Sequence, residues 1–326
     1  MICNNCWNPI SSNQEYVECK ICNKSIHKEC AIENDGYTCD VCLTTKLNDN
    51  KGKTIDFEMP KAIRRSYIEV YKTCPFKFYN EVILGHEMPP NIYTELGILT
   101  HEMFDKASSD RSYTKDKMIS DFKEQFANLD DNLFTEIAPK DRMYNRGMDS
   151  IETFYEIISD MPEPYATEET ILFGVGKDLP MVQATSDRVN LINGELEVID
   201  WKTGQVMVGK KLSSDLQAPL YIYSIREKYN LPVRKFTFYY LKENKERTYE
   251  RVTNEDYVCQ VGKRKYNINL GDAIKEVQHI FSQIKNGNFN IPIDTRKMYF
   301  SCKMCHIREM GLCEGADKQV WKQFNY

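Results

Sequence analysis

Four pairs of thiol or imidazole side chains, each pair separated by two residues, crowd the first 42 positions. They are Cys3 and Cys6, Cys19 and Cys22, His27 and Cys30, and Cys39 and Cys42. A two-residue spacer lets both members of a pair reach one ion, and eight such ligands fill two tetrahedral zinc sites. A segment of about 45 residues buries too little apolar surface to fold unaided, so metal binding would supply most of its folding free energy. Two Zn2+ are therefore expected in residues 1–45. Disulfides are the competing use of the chain's 12 cysteines, but they belong to oxidising compartments. The opening Met1-Ile2-Cys3-Asn4-Asn5-Cys6 has neither the basic nor the apolar region of a secretory signal. A reducing, cytoplasmic location is the expectation.

Beyond the cysteine-rich segment, residues 43–56 are polar and carry little apolar pattern. They suggest a linker, drawn at 46–58, followed by a single large domain over 59–326. With 41% hydrophobic and 12% aromatic residues the chain can bury a sizeable core, which excludes wholesale disorder. No run approaches the ~20 apolar residues of a membrane span. Lys and Arg total 43 against 48 Asp and Glu, a formal charge of -5. That excludes a uniformly basic nucleic-acid coat while leaving room for a local basic groove. Candidates to line one are Lys61, Arg64, Arg65, Arg188, Lys210 and Lys211.

A second cysteine group brackets the large domain. Cys302, Cys305 and Cys313 form C-x2-C-x7-C near the C-terminus, and Cys74 stands near the domain's start. Three clustered thiolates plus a remote one make a four-cysteine site that could hold zinc or an iron–sulfur cluster, and the spacing fits both. Cys259 is left as an ordinary half-buried thiol.

Between these groups the pattern is α/β. Residues 91–108 read as a helix with Leu96, Leu99, Met103, Phe104 and Ala107 on one face and His101 at its edge. Strands are expected over 170–175, 181–192 and 195–201, the last two joined by Asn193-Gly194, a strong two-residue hairpin signal. With that turn Ile192 pairs with Glu195, and stepping outward sets Asp187 opposite Asp200, with Lys202 on the face of Asp200. Like charges directly opposite destabilise a hairpin, whereas a divalent cation between them reverses the sign. A helix entered near Ser213-Ser214-Asp215 then puts Gln217 and Tyr221 on one face, and Lys235–Leu241 supplies another strand.

The C4-H-C3 order of the first segment resembles a PHD finger of the treble-clef and cross-brace group. That likeness implies one zinc on Cys3, Cys6, His27 and Cys30 and the other on Cys19, Cys22, Cys39 and Cys42. Tyr37 stands where such fingers carry an aromatic, and the module would dock a protein or DNA.

The large domain resembles the RecB-like branch of the PD-(D/E)XK nuclease superfamily, close to the CRISPR-associated adaptation nucleases with a four-cysteine iron–sulfur site. The stretches that carry the likeness are Ser66–Phe76 with Cys74, Gly97-Ile98-Leu99-Thr100-His101, Ser186-Asp187-Arg188-Val189, Val198–Gly204 with its D-x-K, Gln217-Ala218-Pro219-Leu220-Tyr221, and the closing cysteines. It implies an α-β-β-β-α-β restriction-endonuclease-like core. His101, Asp187 and Asp200, with the Trp201 carbonyl, would bind Mg2+ or Mn2+. Lys202 would act on the nucleophile or the growing charge, and Gln217 and Tyr221 would position them. Cys74, Cys302, Cys305 and Cys313 would hold a [4Fe–4S] cluster. The implied activity is a metal-dependent exonuclease on DNA ends or single strands, in recombination, repair or phage DNA processing. The alternative is a non-catalytic DNA-binding and docking subunit of a larger complex.

Overall fold

The computed structural model describes residues 57–291 and, outside that range, 14–20, 23, 25–28, 31–33, 37–38, 302 and 305–313. The chain divides into two compact units. One comprises Met1–Glu58, Val70–His86 and Gln283–Tyr326; the other comprises Met59–Glu69 and Glu87–Ser282.

The second unit is built on an eight-stranded mixed sheet: β1 (Ala62–Arg64), β2 (Ala166–Gly174), β3 (Met181–Ile192), β4 (Glu195–Lys202), β5 (Val233–Tyr240), β6 (Lys245–Arg251), β7 (Asp256–Val261) and β8 (Arg264–Asn269). Its order is β8-β7-β6-β5-β4-β3-β1, with β2 on the remaining edge of β3. The β3–β4 hairpin has the expected turn. Asn193 and Gly194 both take positive φ, 52° and 82°, the pair of left-handed residues that a type I′ turn needs. Ile192 faces Glu195, and the ladder runs out to Arg188 facing Ile199. Strands β4 and β5 are parallel, so a crossover must join them, and the helix Gln217–Tyr229 provides it.

Three helices bury one face of this hairpin: α1 being Arg65–Thr73, they are α2 (Ile92–Ser109), α3 (Lys115–Ala127) and α4 (Lys140–Ser159). The Asn91 side chain caps α2 by accepting from the Thr94 amide at 3.1 Å. Leu96, Leu99, Met103 and Phe104 then meet Phe122, Phe126, Phe154 and Trp201 in one core. Gly147 on α4 lets α3 approach, because a Cβ there would stand 2.3 Å from the Phe122 ring. Gln217–Tyr229 is α5 and Leu270–Lys285 is α6.

Two expectations need correction. Arg188 is not a surface cation: it is 0% exposed and donates to Asn190 Oδ1 at 2.8 Å and to the Pro162 carbonyl. It lies one residue from Asp187, so strand alternation turns it to the opposite face. Cys259 is fully rather than half buried, because it faces Tyr249 and Tyr266 in the middle strand of the β6–β7–β8 extension. Among the described residues no helix is long and apolar enough to cross a membrane.

In the first unit the Phe289 ring packs against Phe57, Phe78 and Tyr79, and the Tyr71 hydroxyl donates to the Asn288 carbonyl at 2.6 Å. Near the N-terminus Tyr16–Glu18 pairs with Ser25–His27, and Ile32–Glu33 with Tyr37–Thr38, both antiparallel. Cys19 and His27 are buried there. Cys3, Cys6, Cys22, Cys30, Cys39 and Cys42 lie outside the described residues.

Candidate functional site

A break in the sheet creates the site. One edge of β3 pairs with β2 from Met181 to Val189, and the other pairs with β4 over Arg188–Ile192 and with β1 over 181–183. Between those two partners, 184–187 have no strand neighbour on that edge among the described residues. Asp187 stands at the lip of the break. The β3–β4 ladder stops one step short of the expected Asp187–Asp200 pairing, and the Asp187 side chain takes the next amide: Trp201 N donates to Asp187 Oδ2 at 2.5 Å. The register is as expected, but the final rung is a side-chain bond.

Asp200 is 3% exposed and is held from two sides. Gln217 Nε2 donates to its Oδ1 at 2.6 Å. The Lys202 ammonium stands 2.7 Å from Oδ2, an ion contact off the hydrogen-bonding direction, so Oδ2 accepts no hydrogen bond. Gln217 is itself fixed because two carboxylates take the first amides of α5: Glu69 Oε1 accepts from Leu216 N and Asp215 Oδ1 from Gln217 N. Such exposed amide donors at a helix start favour negative partners. One turn on, burial pushes the Tyr221 phenol up to about 12, with the charge of Asp200 adding to it, so it stays protonated. The Arg65 guanidinium lies 5.8 Å from the Tyr221 ring centre, and its buried Nε has no hydrogen-bond partner.

His101, on α2, brings Nδ1 to 3.7 Å from Asp187 Oδ1. A third side chain able to ligate a metal completes the group, and the sequence alone did not point to it. Atoms of His101, Glu168 and Asp187 all lie within 4.8 Å of one another. Glu168 belongs to β2, which begins at Ala166 rather than Thr170. It faces Asp187, yet only the flanking pairs Thr167–Arg188 and Glu169–Ser186 keep ladder geometry. Glu168 has φ 45°, a left-handed conformation that costs a non-glycine residue about 1–3 kcal/mol. The available signal was the pair Glu168-Glu169, two successive acids that a strand must turn to opposite faces. Glu169 goes to Lys228 and Tyr229 on the other side.

The charges in this group oppose one another. Burial raises the Asp187 carboxyl well above its usual range, and the like charge of Asp200 raises it further. Burial and then Asp187 push Glu168 up to about 7. Desolvation lowers His101, leaving a neutral imidazole with a lone pair to donate. Carboxylates that resist ionisation beside a neutral imidazole fit a hard divalent cation such as Mg2+ or Mn2+.

The four domain-bracketing cysteines all belong to the first unit, where Cys74 and Cys302 each feel the charges of Cys305 and Cys313. Cys74 Sγ accepts from Lys77 N at 3.4 Å and begins the short helix Pro75–Phe78. Burial pushes the Cys74 thiol up to about 12, and the charges of Cys305 and Cys313 add to it. Burial likewise raises Cys302, with Cys305 and Cys313 contributing. His306, beside Cys305, instead faces Glu81, its Nε2 3.4 Å from Oε1.

The solved structure of SSO0001 is similar to 84% of this chain and covers 94% of its own, at 14% identity and a TM-score of 0.35. No curated protein matches. The family model of the PD-(D/E)XK nuclease superfamily matches residues 65–310, a span that takes in β2–β8, both aspartates and Lys202. Well over half the chain is covered, and the chain belongs to the PD-(D/E)XK nuclease superfamily.

Proposed function

We propose that this chain is a divalent-metal-dependent DNA exonuclease acting on free ends or single strands. The observation that carries the reading is the convergence of His101, Glu168 and Asp187 within 4.8 Å at the break in the sheet, with Lys202 2.7 Å from Asp200 alongside. His101, Glu168, Asp187 and Asp200 would hold Mg2+ or Mn2+, with the Trp201 carbonyl beside them. When bound, the ion supplies an activated water and neutralises charge on the scissile phosphate. Lys202 orients the attacking water or meets the charge growing on the phosphate oxygens. Gln217 fixes Asp200 for that task, and the protonated Tyr221 donates toward the substrate side. Lys61, Arg64, Arg65, Lys210 and Lys211 are the cations left to contact the phosphate backbone once Arg188 is removed from the set.

In the same reading Cys74, Cys302, Cys305 and Cys313 hold a [4Fe–4S] cluster, supported by the raised thiols of Cys74 and Cys302, to which the charges of Cys305 and Cys313 contribute. Residues 1–45 form a two-zinc, PHD-like module that docks a partner, and 46–58 link it to the nuclease domain over 59–326. A linear single-stranded oligonucleotide and a covalently closed single-stranded circle, both incubated with Mn2+, test the exonuclease assignment. Shortening of the linear strand with the circle intact is expected. Cutting of the circle at a comparable rate would replace exonuclease by endonuclease.

A further inference from the structure

Helix α2 carries more than the metal-facing histidine. Tyr93, Gly97 and His101 follow one another at four-residue steps and so share one side of the helix. Tyr93 stands two turns from His101, about 12 Å along the axis. The residue is 44% exposed although its side chain is large and aromatic. A guanidinium lies against it: Arg146 Cζ is 5.6 Å from the ring centre. Arg146 is in turn fastened to the catalytic strand's exit, donating through Nε to the Thr203 carbonyl at 3.1 Å and through a second nitrogen to the same oxygen. Thr203 follows Lys202 directly. The guanidinium against the ring is therefore tied to the strand that carries Asp200 and Lys202, two helical turns from His101.

Gly97 is the second, independent observation. It lies inside an 18-residue helix, where glycine is about 1 kcal/mol worse than alanine. Packing does not require it, since a Cβ at this position would meet no heavy atom within 4 Å. Nor does the backbone, which has no positive φ there. A bare helix turn between an exposed aromatic and the metal-facing imidazole leaves a lane open along the surface.

We propose that Tyr93 and Arg146 form a base-stacking subsite, and that Gly97 keeps clear the path by which a single strand runs from it to the metal group. This deepens the nuclease reading and rests on it. The ligand class is an unpaired nucleobase, because a base in the interior of a duplex is stacked on both faces and has none free for the ring. The chemistry suits it: the ring offers a stacking surface, and the guanidinium beside it favours both the π-face and the adjoining phosphate. Paired ends would have to open before the strand could enter.

The test separates bases from backbone charge. Fluorescence anisotropy in chelator compares an oligothymidine with a tetrahydrofuran-phosphate oligomer of equal length, which has the phosphates without the bases. The parent protein should prefer the oligothymidine by about 5- to 150-fold, the range expected for one stacked base. Tyr93→Ala should abolish that preference, Tyr93→Trp should retain it, and Gly97→Leu should weaken oligothymidine binding while leaving the unfolding temperature at or above the parent's. Cleavage with Mn2+ is followed in parallel. Equal preference in Tyr93→Ala and parent, with cleavage intact, would overturn the stacking subsite and leave the nuclease reading standing. A parent that neither binds nor cuts DNA would overturn both.

Discussion

Asp187→Asn is expected to abolish DNA cleavage, by at least about a thousandfold, while making the metal-free protein more stable rather than less. The two effects share one cause. Burial and the neighbouring Asp200 hold the Asp187 carboxyl above its unfolded value. The folded state therefore binds its proton more tightly than the unfolded state. That contribution to stability is fully present below the unfolded carboxylate pKa and is lost as pH rises through the raised folded value. At pH 8, above the unfolded carboxylate value, the carboxyl in this site opposes folding, and a neutral amide removes that opposition. Asparagine Oδ1 can still accept the Trp201 amide that Asp187 Oδ2 takes at 2.5 Å. Thermal unfolding should therefore rise by a few degrees at pH 8 and change little near pH 4. Loss of activity with a lower unfolding temperature would mean that Asp187 serves the fold. Lys202→Met should be as inactive, because its ammonium stands 2.7 Å from Asp200 at the group's edge.

Cys74→Ser is expected to strip the iron from the protein and to loosen the whole first unit. Cys74 lies in the segment Val70–His86 of that unit, while Cys302, Cys305 and Cys313 come from its last segment. A cluster bridging them closes a loop of more than 200 residues, so losing one ligand removes a constraint on a long span rather than on a local turn. Parent protein purified without oxygen should be brown and contain both iron and zinc. Cys74→Ser should be pale, poor in iron, and unfold at lower denaturant. Cys259→Ser tests the distinction, since Cys259 is packed between β6 and β8 away from any ligand group. It should keep its iron. A colourless anaerobic parent carrying zinc alone would assign the four cysteines to a third zinc site.

Most of the site was legible because its parts obey short-range rules. The Asn193-Gly194 turn fixes the hairpin register, and the register alone brings Asp187, Asp200 and Lys202 to one place. Four-residue spacing puts Gln217 and Tyr221 on one side of α5, and Gln217 does reach Asp200. The cysteine spacings carry their own chemistry. The parts that sequence reading missed depend on tertiary context. Glu168 enters the site through a left-handed residue opposite Asp187, and no propensity for strand or turn forecasts such a conformation. Arg188 reads as a surface cation by residue type, yet one of its two partners, the Pro162 carbonyl, comes from a segment outside the hairpin. Helices α3 and α4 and the β6–β8 extension went unread because their apolar patterns mark burial without naming what they cover. Gly97 lies within a recognisable histidine motif, but its open surroundings emerge only when α2 is placed in the fold.

The most direct measurement of the central claim is the rate of cleavage of an end-labelled DNA strand as Mn2+ is returned to chelator-treated protein, for the parent and for Glu168→Gln. Parent activity should be absent in chelator and recover saturably with Mn2+. Glu168→Gln should need several-fold more Mn2+ to reach half its own maximum, since it removes one of the three side chains gathered within 4.8 Å. Cleavage that persists at full rate in chelator, or a parent that stays inactive at saturating Mn2+ with its iron and zinc in place, would contradict the assignment of His101, Glu168, Asp187 and Asp200 as the metal centre of a nuclease.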